Sequence, residues 1–152
     1  LVNKLKTTDL WDDLLVVIVP DHGVADEEGM SRSEYKVINI PFILAGGAVS
    51  HKGEKINTIM SQADIPATLL AQLGIDHSDF IFSRDVLSPD YNYPSAMHNT
   101  PVNSTFVDST GLTTYDIVGE KVINTTDKSG DSIRLNRIKA MLQALYDRAA
   151  EL

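Results

Sequence analysis

Two short runs of apolar residues, each followed by a turn signal, stand out in the first half of the chain. Residues 14–19 are all Leu, Val or Ile and precede Pro20, and residues 40–45 form a second run that ends at two glycines. Continuous runs of this length and composition are typical of strands buried on both faces, as in a parallel sheet covered by helices. The pattern therefore predicts two buried strands, separated by a long polar loop over residues 21–37.

Helical signals flank these two strands. Residues 2–10 have the pattern of a helix, and residues 61–64 have the spacing of a capping box in front of leucines at helical intervals. Gly74 supplies a C-terminal stop for that second helix. Strand, loop, strand and helix in this order predict an α/β layer.

After residue 92 the apolar positions alternate in short segments. Four segments, separated most clearly by turns at Gly111 and Gly119, predict a small antiparallel meander: residues 95–98, 104–109, 113–117 and 121–125. Apolar positions at helical spacing predict a long helix over residues 131–152. We therefore expect the α/β class, with a partial sheet and helices over residues 1–92 and the meander and final helix over residues 93–152, both within one structural unit.

Composition narrows the functional classes. The 152 residues include 43% hydrophobic and 22% charged side chains, an ordinary balance for a folded domain, and the formal net charge is −8. This charge argues against nucleic-acid binding, which needs clustered Lys and Arg. The chain has no cysteine, which excludes disulfides, thiolate metal sites and a Cys nucleophile. It begins without Met inside the predicted first helix, so we expect it to be a piece of a longer protein.

Candidate chemistry lies directly after the first predicted strand. Asp21, His22 and Gly23 follow Pro20, and ligands in α/β sheets bind at the carboxyl ends of strands. A carboxylate oxygen and an imidazole nitrogen together suit zinc, manganese and similar ions. The alternative interpretation is a polar turn that merely closes a strand, and residues 21–23 by themselves do not decide between the two.

Four stretches together resemble one superfamily. Residues 17–23 (VIVPDHG), 40–49 (IPFILAGGAV), 61–74 (SQADIPATLLAQLG) and 82–87 (FSRDVL) are similar, in order and spacing, to segments of the alkaline phosphatase superfamily, which includes sulfatases and phosphoglycerol transferases. The likeness is strongest to lipoteichoic-acid-synthase-like phosphoglycerol transferases. It implies an alkaline-phosphatase-like sheet over residues 1–92 and identifies Asp21 and His22 as the family's metal-binding pair.

The resemblance also implies a mechanism and a setting. A hydroxyl nucleophile attacks phosphorus while one divalent ion, Mn, Mg or Zn (Ca in a sulfatase), neutralises charge on the ester oxygens. The nucleophile and the remaining ligands of such enzymes come from earlier in the chain, so we expect this chain to lack turnover by itself. The substrate would be a phosphate or sulfate ester at the extracytoplasmic face of the bacterial cell envelope, and the full-length protein would be membrane-anchored.

Some residues depart from the family pattern. Asn39 stands where relatives often have a basic or imidazole side chain, and His51 lies downstream in a setting that does not match a further metal ligand. Both are weak candidates for substrate binding. His98, in a predicted strand, is interpreted as a packed histidine rather than a ligand.

The sequence leaves two alternatives to the transferase open. One is a true sulfatase or phosphodiesterase, and the other is a binding or interaction module that retains Asp21 and His22 as a relic. Strands of this apolar composition are normally covered on both faces. If the covering elements belong to another part of a longer protein, apolar surface is exposed, so we also expect the chain to self-associate.

Overall fold

A computed structural model describes residues 1–23 and 35–151 of the chain. Within them the chain divides into two compact units, one of residues 1–58 and 62–91 and one of residues 59–61 and 92–152. The expectation that both parts form one structural unit stays a prediction. The mixed α/β class, with antiparallel strands and a C-terminal helix, is confirmed.

The first unit begins with a short helix and a strand pair. Helix α1 spans Val2–Leu5, a 3₁₀ turn spans Trp11–Asp13, and strand β1 spans Val16–Ile18. Helix α2 covers Tyr35–Ile38, and strand β2 covers Ile43–Ala45 and pairs with β1 in antiparallel register. The predicted first helix is therefore too long by five residues, and the end of the predicted polar loop is helical instead.

The prediction of two strands buried on both faces is wrong for the described part of the chain. Ile18 and Ile43 lie opposite each other across the β1–β2 pair, and their exposed fractions are 44% and 49%. The apolar run correctly indicates a strand, but burial requires a covering layer. No pattern within the run specifies whether that layer is present.

Helix α3, Ile65–Gln72, follows a 3₁₀ turn at Gln62–Asp64 and has Pro66 in its first turn, where a missing N–H costs little. Gly74, at φ +67°, ends it as predicted. The N–H of Gly74 donates to the Ala71 carbonyl at 3.0 Å, and that of Ile75 donates to the Leu70 carbonyl at 2.9 Å. These two bonds form a Schellman motif, which a left-handed glycine favours.

The predicted capping box at residues 61–64 is wrong. Asp64 stands at the N-cap of α3 but makes no side-chain capping bond. Its carboxylate is 1% exposed and instead receives the Arg84 guanidinium, from Nε and from Nη2, each at 2.9 Å. The Asp64 carboxylate thus pairs with a residue twenty positions away instead of capping its own helix. Two charged hydrogen bonds stabilise a buried carboxylate more than a single bond to a backbone N–H would.

The second unit is the predicted meander packed against the final helix. Its strands, β3 Ser95–Asn99, β4 Asn103–Asp108, β5 Gly111–Asp116 and β6 Lys121–Thr125, pair in antiparallel sequence order. Helix α4, Asp131–Ala150, covers the sheet with Ile138, which has no exposed surface and packs with Phe106 and Tyr115. The alternating and helical patterns thus predicted both element types and their order.

The charged side chain of Arg134 is buried beside this apolar core. Arg134, one turn before Ile138 on α4, has no exposed surface. Its Nε donates to Thr113 Oγ1 at 2.8 Å, and its Nη1 donates to Thr110 Oγ1 at 2.6 Å and lies 3.4 Å from Asp108 Oδ1. Tyr93 Oη donates to the other Asp108 oxygen at 2.8 Å. The Arg134 guanidinium and the Asp108 carboxylate therefore contact each other, and three neighbouring hydroxyl groups supply further hydrogen bonds to the two buried charges.

Candidate functional site

Asp21 and His22 lie side by side directly after β1 and Pro20. His22 Nε2 is 3.6 Å from Asp21 Oδ2, and the two side chains are 71% and 88% exposed, respectively. This separation is longer than a hydrogen bond, so the facing nitrogen and oxygen are not locked to each other. The structure brings the two predicted residues together in open solvent, while their assignment as metal ligands stays a prediction.

Local hydrogen bonds orient the two side chains. His22 Nδ1 lies 2.8 Å from the Gly23 carbonyl oxygen, which can only accept, so Nδ1 carries the proton in this bond. The His22 backbone N–H donates to Asp21 Oδ1 at 2.9 Å. The imidazole Nε2 and carboxylate Oδ2 are consequently the atoms left facing each other. A histidine whose other nitrogen donates to a backbone carbonyl is the usual arrangement of a metal ligand.

Gly23 allows the chain after the pair to approach helix α2. A Cβ placed on Gly23 would lie 1.7 Å from the Val37 carbonyl oxygen, a separation that no side chain can adopt. The obstructing atom belongs to the backbone, so it cannot swing aside. The close approach to the Val37 backbone therefore requires a glycine at position 23. This contact holds the chain in place at the residue that follows His22.

Gln62 holds the same segment from the other side. Its Nε2 amide donates to the carbonyl oxygens of Pro20 and Asp21 at 3.0 and 2.9 Å. The sequence pattern indicates Gln62 only as part of a capping box. Its partners are more than forty residues earlier in the chain, and no local pattern specifies such a contact.

The spacing of His22 Nε2 and Asp21 Oδ2 can be compared with the ligand spacing that a divalent ion requires. Two ligands of a tetrahedral zinc ion lie about 3.4 Å apart, given bonds of about 2.1 Å, so a separation of 3.6 Å needs only a small adjustment. A carboxylate oxygen with an imidazole nitrogen also suits manganese. Across residues 1–23 and 35–151, no group of three or more His, Asp or Glu side chains forms a fuller site. The acidic residues 26–28 lie outside the described residues.

The weaker candidates lie in simpler surroundings. Asn39 is exposed just after α2, and His51 Nδ1 is 3.1 Å from Glu54 Oε2 in an exposed local pair. Their roles in substrate binding stay predictions. His98 belongs to the second unit, where its Nε2 is buried without a hydrogen-bond partner among the described residues. Burial lowers the pKa of His98, as expected for a packed neutral histidine.

A network of hydrogen bonds in the first unit, which was not predicted from the sequence, fixes the start of α3 next to Gln62. Thr68 Oγ1 donates to the Asp64 carbonyl at 2.8 Å and accepts from the Val86 N–H at 3.2 Å. Ser83 Oγ accepts from the Ala67 N–H at 2.9 Å. Together with the Asp64–Arg84 pair, these bonds attach residues 83–86 to the start of α3, immediately behind Gln62.

Comparisons with known proteins add the family context. A model of the sulfatase family matches residues 1–75. Lipoteichoic acid synthase 2 of Bacillus subtilis (strain 168) is 24% identical over 147 residues, covering 86% of this chain and 22% of that protein. A crystal structure of a protein in the alkaline phosphatase superfamily from Vibrio parahaemolyticus is similar with a TM-score of 0.70 and 23% identity, covering 91% of this chain and 35% of that one. The chain therefore spans between a fifth and about a third of these relatives.

Proposed function

We propose that this chain is a member of the alkaline phosphatase superfamily and forms the C-terminal, metal-binding part of a phosphoglycerol transferase or sulfatase-like enzyme. The observation that carries this proposal is the convergence of Asp21 Oδ2 and His22 Nε2, 3.6 Å apart, at the end of a strand. Both residues lie within the stretch that matches the sulfatase family model. The small share of each relative that the chain spans supports placing the remaining active-site groups elsewhere in a longer protein.

The roles of the two residues follow from their chemistry. Asp21 offers an anionic oxygen and His22 a nitrogen lone pair, and the Nδ1 bond to Gly23 keeps that lone pair turned outward. Sulfatase- and lipoteichoic-acid-synthase-like enzymes are generally metal-dependent, and a divalent ion supplies charge neutralisation on the ester oxygens and a lower pKa for a hydroxyl nucleophile. Mn, Mg or Zn fits this pair, and Ca would apply if the enzyme is a sulfatase. The exposure of both side chains leaves room for an ester group to reach them.

The proposed substrate is a phosphate or sulfate ester of the cell envelope, acted on outside the cytoplasm. The likeness to a lipoteichoic acid synthase supports this placement, and the sulfatase family match supports a sulfate ester as the second possibility. Within the described residues no helix is both long and apolar enough to cross a bilayer. The likeness to a lipoteichoic acid synthase also supports the proposal that the full-length protein is membrane-anchored.

The test compares two lengths of the protein with one pair of substitutions. This chain and a form extended upstream are assayed with a chromogenic phosphodiester and a chromogenic sulfate ester in the presence of Mn²⁺. We expect turnover only from the extended form, and we expect Asp21→Ala with His22→Ala to abolish it. Turnover by this chain well above its double variant would refute the division of the site. Turnover of the extended form that survives the double variant would instead show that catalysis does not need the pair, and an extended form without turnover would favour a binding module that retains the pair as a relic.

A further inference from the structure

Gln62 makes an unusual double contact with the candidate site. One side-chain amide uses its two hydrogens on two successive backbone carbonyls, those of Pro20 and Asp21, at 3.0 and 2.9 Å. These carbonyls flank the Asp21 Cα, so the contact limits rotation of the backbone at the residue that presents the carboxylate. The opposite side of the pair is limited by the Gly23 approach to Val37.

The 3₁₀ turn that contains Gln62 is held in place by buried contacts. Gln62 begins a 3₁₀ turn whose last residue, Asp64, is buried. Asp64 Oδ1 also accepts the Arg84 backbone N–H at 3.1 Å, in addition to the two guanidinium bonds. The Arg84 guanidinium lies 4.9 Å from the centroid of the Tyr91 ring. The exposed amide of Gln62 is thus carried by a turn whose far end is anchored in the unit.

From this geometry we infer that Gln62 is a positioning residue for the Asp21–His22 pair, an inference that rests on the metal-binding function proposed above. Both side chains of the pair are largely exposed, so packing does not hold them in place. Without the two amide bonds, an arriving ion would have to order the turn itself. Groups that orient metal ligands without touching the ion typically contribute 10- to 100-fold to metal affinity.

The test measures Mn²⁺ affinity from the paramagnetic broadening of the His22 ring signals in this chain. Gln62→Met keeps the length and removes the donors, and Gln62→Ala removes the whole contact. We expect each to weaken Mn²⁺ binding about tenfold or more. The matched control is Gln143→Met, because Gln143 lies exposed on α4 and its Nε2 donates to Asp147 Oδ1, four residues along the same helix, at 2.7 Å. We expect no change from this control.

The outcomes separate the inference from the function on which it rests. If Asp21→Ala abolishes binding but Gln62→Met and Gln62→Ala stay within twofold of the unsubstituted chain, the positioning role is refuted and the metal site stands. If Asp21→Ala leaves the affinity unchanged, the proposed function fails and the inference fails with it. Fluorescence of Trp11, the single tryptophan, monitors folding of the first unit. A loss of affinity that is matched by unfolding in both Gln62 variants would also overturn a positioning role.

Discussion

The buried arginine of the second unit gives the sharpest prediction about stability. Arg134→Met keeps a long unbranched side chain but removes the guanidinium, which contacts Thr113, Thr110 and Asp108 and also donates to the Asp127 carbonyl. Arg134 and Asp108 are 0% and 7% exposed, so water cannot readily replace the lost contacts. Removing one partner of a buried ion pair costs about 3–5 kcal/mol, because the other charge remains buried. We expect the free energy of unfolding of the second unit to fall by about that amount near pH 7.

The loss should depend on pH with a defined sign. Burial alone would raise the pKa of Asp108, but hydrogen bonds from Thr110 and Tyr93 and the charge of Arg134 outweigh it and hold the pKa below its usual range. A carboxyl with a lowered pKa in the folded state stabilises the protein above its unfolded pKa of about 3.9 and loses that contribution as the pH falls below it. The difference between Arg134→Met and the unsubstituted protein should therefore shrink below about pH 4.

The assay is urea denaturation followed by the amide signals of strands β3 to β6, since Trp11 reports on the first unit. Arg148→Met is the matched control on the same helix. Arg148 bonds Glu151 at 2.6 Å, but both side chains are more than half exposed, so this pair should contribute less than about 1 kcal/mol. Equal losses from the two substitutions, or a loss below about 1 kcal/mol for Arg134→Met, would refute the reasoning.

Three further predictions follow from particular contacts. The lowered pKa of the partly buried His98 means that its protonation favours unfolding, so the second unit should lose stability as the pH falls through about 6.5; His98→Leu should flatten a urea-midpoint profile over pH 5–7, and an unchanged slope would contradict this. Gly23→Ala should force the backbone at residue 23 away from α2, because its Cβ would meet the Val37 carbonyl at 1.7 Å; amide shifts that do not reach Val37 and its neighbours would count against this contact. Ile43→Lys should reduce the expected self-association by charging the exposed Ile18–Ile43 pair, as light scattering can measure; an unsubstituted chain that stays monomeric at high concentration would contradict the expectation.

The sequence predicted the second unit well because its structure is determined by nearby residues. Alternation and turn signals define hairpins between neighbouring strands, and the glycine after α3 ends that helix through bonds within six residues. Arg134 was not predicted to be buried, although it stands four residues before Ile138 and so shares its face of the helix. Helical spacing contained that signal, but a charged residue is ordinarily expected at the surface.

The first unit was predicted less accurately because its decisive contacts are distant in sequence. The pairing partner of β1 is on the far side of residues 21–37, and the partner of Asp64 is twenty residues downstream. The position of Asp21 and His22 after a strand followed from the chain pattern. The Gln62 contact that holds them did not, because hydrogen bonds between distant segments have no periodic signature.

We propose that Asp21 and His22 together form the cation-binding point of this chain. The most direct measurement adds Mn²⁺ stepwise and follows the ring signals of the four histidines in one spectrum. His51, beside Glu54, serves as an internal comparison because it is also an exposed histidine next to a carboxylate. We expect the His22 signals to broaden first and Asp21→Ala to remove this preference. Earlier broadening of His51, or broadening of His22 that Asp21→Ala does not alter, would contradict it.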